Sequence, residues 1–178
     1  MIRLMNRIRR AWRDEAGVAT IEFVMALPVL LAIFSASFES GLMMTRSIML
    51  EQSLDMVMRE LRLGHYVNAD AELLKKQICA RTVILVNCEA SLMIDMQLVS
   101  TATWAMPTQA AACADRNLAI QPVTTLQIGQ QNDLMLVRAC IVQDAIFPTT
   151  GIGLGLTRVT DGGGYEIFAV SAFANEPS

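Results

Sequence analysis

A single long apolar segment near the N-terminus limits what this 178-residue chain can fold into. From Val18 to Phe38 there are 21 residues, and Glu22 is the one charged residue among them. A helix of this length rises about 30 Å, which is the thickness of the hydrocarbon core of a bilayer. No other segment is as long and as apolar, so the sequence predicts one membrane span.

The charges that flank the span predict its orientation. Five arginines lie in residues 1–17, and no comparable basic excess follows the span. Because basic flanks stay in the cytoplasm, we expect a single-pass membrane protein whose C-terminal domain lies on the opposite side of the membrane. The alternative is a cleaved secretory signal. The apolar run is too long for the hydrophobic region of such a signal, and Ser35-Ala36-Ser37 is poorly placed as its cleavage site.

The charge balance also excludes one class of partner. Residues 1–17 contribute +3 to the formal net charge of −3, so the remainder of the chain carries −6. Nucleic-acid binding needs a basic surface, and we therefore expect no nucleic-acid partner.

Four cysteines follow the span, at positions Cys79, Cys88, Cys113 and Cys140. An even number of cysteines on the translocated side predicts two disulfides in an oxidising compartment. Zinc is the alternative, but the spacing contains no C-x-x-C pair and the single histidine, His65, lies outside the cluster. We expect no metal site.

The apolar segment continues into an amphipathic helix. Leu50, Leu54, Val57 and Leu61 recur at the spacing of one helical face, and Gly64 supplies a stop signal. The sequence therefore predicts one helix over 18–63, which has the membrane span about 18–38 in its first half.

Residues 64–178 are predicted to form a small α+β domain. Asn68-Ala69-Asp70 is typical of a helix N-cap, with a short helix from there to Cys79. Apolar runs at 92–98, 134–142 and 165–173 predict strands, and Leu92, Ile94, Met96 and Leu98 share one face of the first. The glycine-rich stretch 151–164 is predicted to connect the second and third strands. We expect a small antiparallel sheet packed against the second half of the long helix, which is an α+β fold.

No catalytic arrangement is present in the sequence. Gly151-Ile152-Gly153-Leu154-Gly155 lacks the lysine and the strand-to-helix context of a phosphate-binding loop. No nucleophile, histidine or carboxylate pair forms a recognisable set. We expect neither an enzyme nor a bound cofactor.

The segment Gly17 to Phe23 carries a more specific pattern. A glycine, a short apolar run, Glu22 five residues on and then an aromatic residue form the processing pattern of type IV prepilins. Cleavage after Gly17 would free an amino group on Val18, one helical turn from Glu22. In a fibre, that ammonium group can neutralise the carboxylate of a neighbouring subunit, which removes the cost of burying either charge alone.

Pro28 lies within the span and removes one backbone hydrogen bond, to the carbonyl of Val24. A weakened helix could leave the bilayer for a filament more easily. A tolerated kink in a membrane helix is the other interpretation, and the sequence does not separate the two.

The run from Arg13 to Phe23, followed by Leu27-Pro28, resembles the TadE-like pseudopilins, or minor pilins, of the tight-adherence (Tad/Flp) pilus system. Later segments are similar as well. These are Cys79 and Cys88 before the alternating strand, Leu136-Val137-Arg138-Ala139-Cys140, and the C-terminal Phe173-Ala174-Asn175-Glu176-Pro177.

The resemblance implies a pilin-like fold and an inner-membrane precursor whose C-terminal domain is periplasmic. It also implies that residues 1–17 are a prepilin leader, removed by a prepilin peptidase that cuts after Gly17, and that the protein helps to build a pilus for surface attachment. Its implied partners are that peptidase, other pilins, the inner-membrane assembly machinery and the lipid bilayer. It favours a Cys79–Cys88 bond, which requires the segment between them to turn back, together with Cys113–Cys140. The alternatives are a permanently anchored periplasmic enzyme or binding protein, and a pseudopilin of a secretion apparatus.

Overall fold

The architecture comes from a computed structural model. The residues that it describes are 18–66, 68–108, 111–116, 118, 121–122, 124–149, 151–156 and 163–175. The helices and strands in chain order are α1 (Val18–Arg62), α2 (Ala71–Cys79), α3 (Cys88–Ser91), β1 (Leu92–Val99), β2 (Leu134–Gln143), α4 (Gly151–Leu156) and β3 (Tyr165–Ala174). The predicted leader, residues 1–17, lies outside the described residues.

The helix α1 is continuous over 45 residues, so it is about 67 Å long. It ends one residue before the predicted boundary. Gly64 follows in the left-handed conformation, with a φ of 74°. The N–H of His65 donates to the carbonyl of Glu60, and that of Gly64 to the carbonyl of Leu61. These bonds satisfy carbonyls that the helix end leaves open, which is why a glycine stops the helix here.

The sheet has three antiparallel strands in the order β1-β2-β3. Its inner face is apolar because alternate residues of each strand point to the same side. Leu92, Ile94 and Met96 of β1 are buried there, whereas Leu98 on the same face is 47% exposed at the end of the strand. β3 lies at one edge of the sheet and packs against α1.

The core forms between the inner face of the sheet and the second half of α1. Leu50, Leu54 and Val57 are fully buried there, as their helical spacing predicts. Full burial of one such side chain stabilises a fold by about 1.5–3 kcal/mol. The predicted α+β arrangement, a long helix on a small antiparallel sheet, is confirmed.

The helix α2 closes another side of the core. The carboxylate of Asp70 accepts a hydrogen bond of 2.7 Å from the N–H of Leu73, so it is the N-cap that the sequence predicts. Leu74 and Ile78, one turn apart, are the buried residues of α2. Lys76 lies in the last turn, where a cation complements the helix dipole.

The outer face of the sheet holds a charged pair. Asp95 of β1 lies opposite Arg138 of β2 in the strand register, and the Nε of Arg138 donates to the carboxylate at 3.1 Å. Asp95 is buried and also accepts hydrogen bonds from the amide of Gln97. Such a pair fixes the register of β1 on β2, because a slip would leave a buried charge without its partner.

The glycine-rich stretch contains a short helix, α4, where the sequence predicted only a connection. Gly153 lies tight against the preceding loop: a Cβ placed there would come within 2.0 Å of the carbonyl oxygen of Phe147. A glycine is therefore required for the chain to fold back at this point.

Candidate processing and assembly site

The predicted processing motif falls across the start of the described chain. Gly17 lies outside the described residues, and Val18 is the first residue of α1. Glu22 and Phe23 follow in the first two turns, and both side chains are exposed. Val18 and Glu22 are four residues apart on a helix, so they lie on one face.

Glu22 lies among apolar side chains of α1 that are exposed as well. From residue 19 to residue 34 every side chain of α1 is exposed. Within the part of the chain that the structure describes, Glu22 has neither an ion-pair nor a hydrogen-bond partner. A helix of this length and composition is able to cross a membrane, and α1 is the one such helix among the described residues.

Pro28 lies inside α1, and the helix continues through it. Proline has no N–H, so the carbonyl of Val24 lacks its usual helical donor. Whether the helix bends there during assembly stays a prediction.

A second carboxylate on α1 has the opposite environment. Glu39 is only 1% exposed. Its Oε2 accepts hydrogen bonds from the backbone N–H groups of Ile146, at 2.9 Å, and Phe147, at 3.0 Å. These residues belong to the 144–149 loop, which connects β2 to α4. Glu39 thus joins the end of the predicted span to a loop more than 100 residues later in the chain.

Arg46 holds the same loop two turns farther along α1. It is 5% exposed, and its Nη1 donates to the carbonyl of Asp144 at 2.9 Å and to the hydroxyl of Tyr165 at 2.6 Å. Its guanidinium group also lies over the Tyr165 ring, 5.9 Å from the centroid. Arg116 adds a third contact, an ion pair of 2.5 Å with the carboxylate of Asp144. Charged donors and acceptors make the stronger hydrogen bonds, so the loop is firmly attached to α1.

The sequence interpretation missed Glu39 and Arg46, although a signal for them exists. Continued towards the N-terminus, the buried stripe of α1 passes from Leu50 through Arg46 and Met43 to Glu39 at steps of four, three and four residues. A charge on a buried stripe needs a polar partner. The identity of that partner could not be read, because it is the backbone of a distant loop.

The cysteines form the two bonds that the resemblance implied. Cys79 is joined to Cys88, with Cα atoms 5.6 Å apart, and the residues between them turn back. Cys113 is joined to Cys140 of β2, with Cα atoms 5.1 Å apart. The second bond ties the segment after β1 to the outer face of the sheet. Among the described residues, no group of three or more histidines, cysteines, aspartates or glutamates could hold a metal ion.

A polar cluster lies at the far end of α1. The hydroxyl of Tyr66 donates to Glu60, and Arg81 donates to both oxygens of the same carboxylate, at 2.9 and 3.0 Å. The hydrogen bond from Tyr66, and then the charge of Arg81, hold the pKa of Glu60 below its usual value. Burial, together with the bond to Glu60, raises the pKa of Tyr66. The cluster fastens the turn after α1 and the start of the Cys79–Cys88 loop.

These features define a class of protein: an N-terminal helix able to anchor in a membrane, joined without a linker to a small disulfide-bonded α+β domain. Within this class, residues 17–59 match the family described as TadE-like protein. The resemblance seen in the sequence is confirmed over that segment, which contains Gly17, Glu22, Pro28, Glu39 and Arg46. The later segments that also resemble the family lie outside the match. No curated protein and no solved structure matches the chain.

Proposed function

We propose that the protein is a minor pilin or pseudopilin, cleaved after Gly17 by a prepilin peptidase and required to assemble a Tad/Flp pilus used in surface attachment. The observation that carries the proposal is the match of residues 17–59 to the TadE-like family, which suggests a protein associated with the Tad pilus. The match begins at the glycine of the processing motif.

The environment of Glu22 supports an assembly role. Its carboxylate lies on the exposed, apolar half of α1, without a partner in the described residues. Burial of such a group in lipid or between helices is costly unless an opposite charge meets it. The free amino group of Val18 on a neighbouring, cleaved subunit would supply that charge. Subunits packed in a wrong register would leave Glu22 unpaired, so the residue selects the register.

In this proposal the precursor spans the inner membrane through residues 18–38, with residues 1–17 in the cytoplasm and the disulfide-bonded domain in the periplasm. Its direct partners are the peptidase, other pilins of the same system and the inner-membrane assembly machinery. That it is not an enzyme stays a prediction.

The test is the N-terminal sequence and intact mass of the protein, isolated from host membranes with and without the prepilin peptidase. We expect a start at Val18 that depends on the peptidase. Gly17→Ile should block the cleavage, because a bulky side chain replaces the glycine of the motif. Gly41→Ala, at an open position of α1, is the matched control and should be cleaved normally.

The rival is a permanently anchored periplasmic protein that uses α1 only as a tether. An intact leader in both strains would favour the rival and overturn the proposed processing. A start near residue 38 in both strains would instead identify a cleaved secretory signal.

A further inference from the structure

The segment that follows β2 is unusually apolar for a surface connection. Residues 145–157 contain no charged side chain and no histidine. Ile146 is 50% exposed in the 144–149 loop, and Ile152 of α4 is partly exposed as well. Connections between strands are normally polar. A charge-free segment with exposed isoleucines can enter an apolar environment without the cost of burying a charge.

The position of this loop along α1 identifies the environment. The ring of Phe147 meets the ring of Phe38 edge to face, with centroids 6.1 Å apart. Phe38 in turn stacks on Phe34, at 6.5 Å. Both are exposed residues at the end of the apolar half of α1. The loop therefore continues the apolar surface of the span around its domain-proximal end.

The depth of the loop is fixed because its attachment to α1 is rigid. Glu39 binds the backbone N–H groups of Ile146 and Phe147, one residue after Phe38, and α1 has no break between the span and the domain. When α1 is inserted with Phe38 at the membrane boundary, Ile146 and Phe147 lie at that boundary too. The same contacts keep the carboxylate of Glu39 buried under the loop instead of in lipid.

We infer that residues 145–149 and the exposed side chain of Ile152 form a membrane seat, which inserts into the region between headgroups and acyl chains of the bilayer that holds α1. The partner is a phospholipid surface, recognised through apolar side chains without a charged contact. The inference rests on the proposed membrane-inserted precursor. Its consequence is that the domain lies on the bilayer before assembly and must be lifted off as the subunit enters a fibre.

The test places a single tryptophan at one of four positions in the full-length, uncleaved chain, after Trp12 and Trp104 are changed to Phe. Phe147→Trp reports on the seat and Phe34→Trp on the span. Val170→Trp is the control, because Val170 is 60% exposed on the outer face of β3. The neighbouring Ser171 lines a cleft with Asp55, which lies about 25 Å along α1 from Phe38.

Each variant is reconstituted into phosphatidylcholine nanodiscs that contain lipid with a doxyl quencher at acyl carbon 5. For a residue at the headgroup–acyl boundary, we expect quenching of Phe147→Trp at least about twofold stronger than that of Val170→Trp. Quenching of Phe34→Trp shows that the span is inserted. Ile146→Trp repeats the measurement at a neighbouring position, in case the substitution at Phe147 disturbs the loop.

Two outcomes would overturn the inference while leaving the proposed function intact. In the first, Phe34→Trp is quenched but both seat variants are quenched no more than Val170→Trp. In the second, emission from the seat variants depends on the number of protein copies per disc and not on the quencher, which would identify a second copy as the occupant. Absence of quenching at Phe34 would overturn the membrane-inserted precursor itself, and the inference with it.

Discussion

Glu22 in the first half of α1 and Glu39 at the start of its second half have opposite environments. Glu22 is exposed among apolar side chains that are exposed as well, whereas Glu39 is buried and binds two backbone N–H groups. The buried stripe of the second half packs on the domain of the same chain. The side chains of residues 19–34 are exposed, so the stability of the first half depends on surroundings that the single chain does not provide: lipid, or other helices.

The largest effect is expected from Glu22→Ala. If the carboxylate is paired in the fibre, its loss leaves a buried ammonium group unpaired, which costs about 3–5 kcal/mol and reduces incorporation more than a hundredfold. Membrane insertion should be unchanged. The measurement is the amount of protein in sheared pili relative to membranes, by immunoblot. Glu51→Ala, an exposed carboxylate in the second half of α1, is the control, and equal incorporation of both variants would refute the charge-pairing mechanism.

Leucine substitutions compare the two halves directly. Leu54→Ala removes a fully buried side chain from the core and should lower the free energy of unfolding by about 2–5 kcal/mol. Leu30→Ala makes the same change at an exposed position in the first half and should leave that quantity nearly unchanged. Urea unfolding of the detergent-solubilised chain, followed by near-UV circular dichroism, measures both. Similar losses would mean that the first half also packs on the domain.

Glu39→Ala tests the link between the halves. It leaves the N–H groups of Ile146 and Phe147 without their acceptor, so unfolding should become easier by about 1–3 kcal/mol. Glu39→Gln retains an acceptor oxygen of similar size and should lose less. Thermal melting in detergent distinguishes them. A melting temperature for Glu39→Ala equal to that of the wild type would show that the contact does not stabilise the fold.

The smallest effect concerns pH. The pKa of Glu60 is lower in the folded protein than its ordinary value of 4.5. The ionised carboxylate therefore contributes its full share of folding stability above pH 4.5, and this contribution is lost as the pH falls through the folded pKa. Wild-type stability should therefore decrease in acid slightly more than that of Glu60→Gln. Parallel curves of melting temperature against pH, between neutral pH and about 3, would contradict the role given to Tyr66 and Arg81.

The fold could be predicted from the sequence because its helices and strands are long and strongly periodic. The stripe through Leu50, Leu54 and Val57, and the apolar runs of the three strands, require little knowledge of distant partners. The N-cap role of Asp70 could also be predicted, because an N-cap side chain accepts a hydrogen bond from a backbone N–H only three positions away. The processing motif is likewise local in the sequence, although the structure describes only the part from Val18 onwards.

The contacts of Glu39 and Arg46 could not be predicted from the sequence, because they join α1 to backbone groups 98 to 108 residues away. Backbone acceptors and donors have no signature in the amino-acid sequence. The helix α4 was missed for a related reason: glycines predict turns, and here Gly153 serves a close approach to Phe147 inside a short helix. The first case depends on contacts between residues far apart in the sequence, and the second on a close packing contact that glycine content alone does not predict.

The absence of a linker between the span and the domain has a geometric consequence. In a helix each residue turns the chain by about 100° and advances it by about 1.5 Å. In the proposed fibre, the number of residues between Glu22 and Glu39 would therefore set the direction in which the domain points from the fibre axis. One alanine inserted in that interval would point the same domain in a different direction while leaving its interior untouched. If the protein assembles as proposed, the length of the first half of α1 would therefore fix both the position of the domain along the fibre axis and the side of the fibre on which it is displayed.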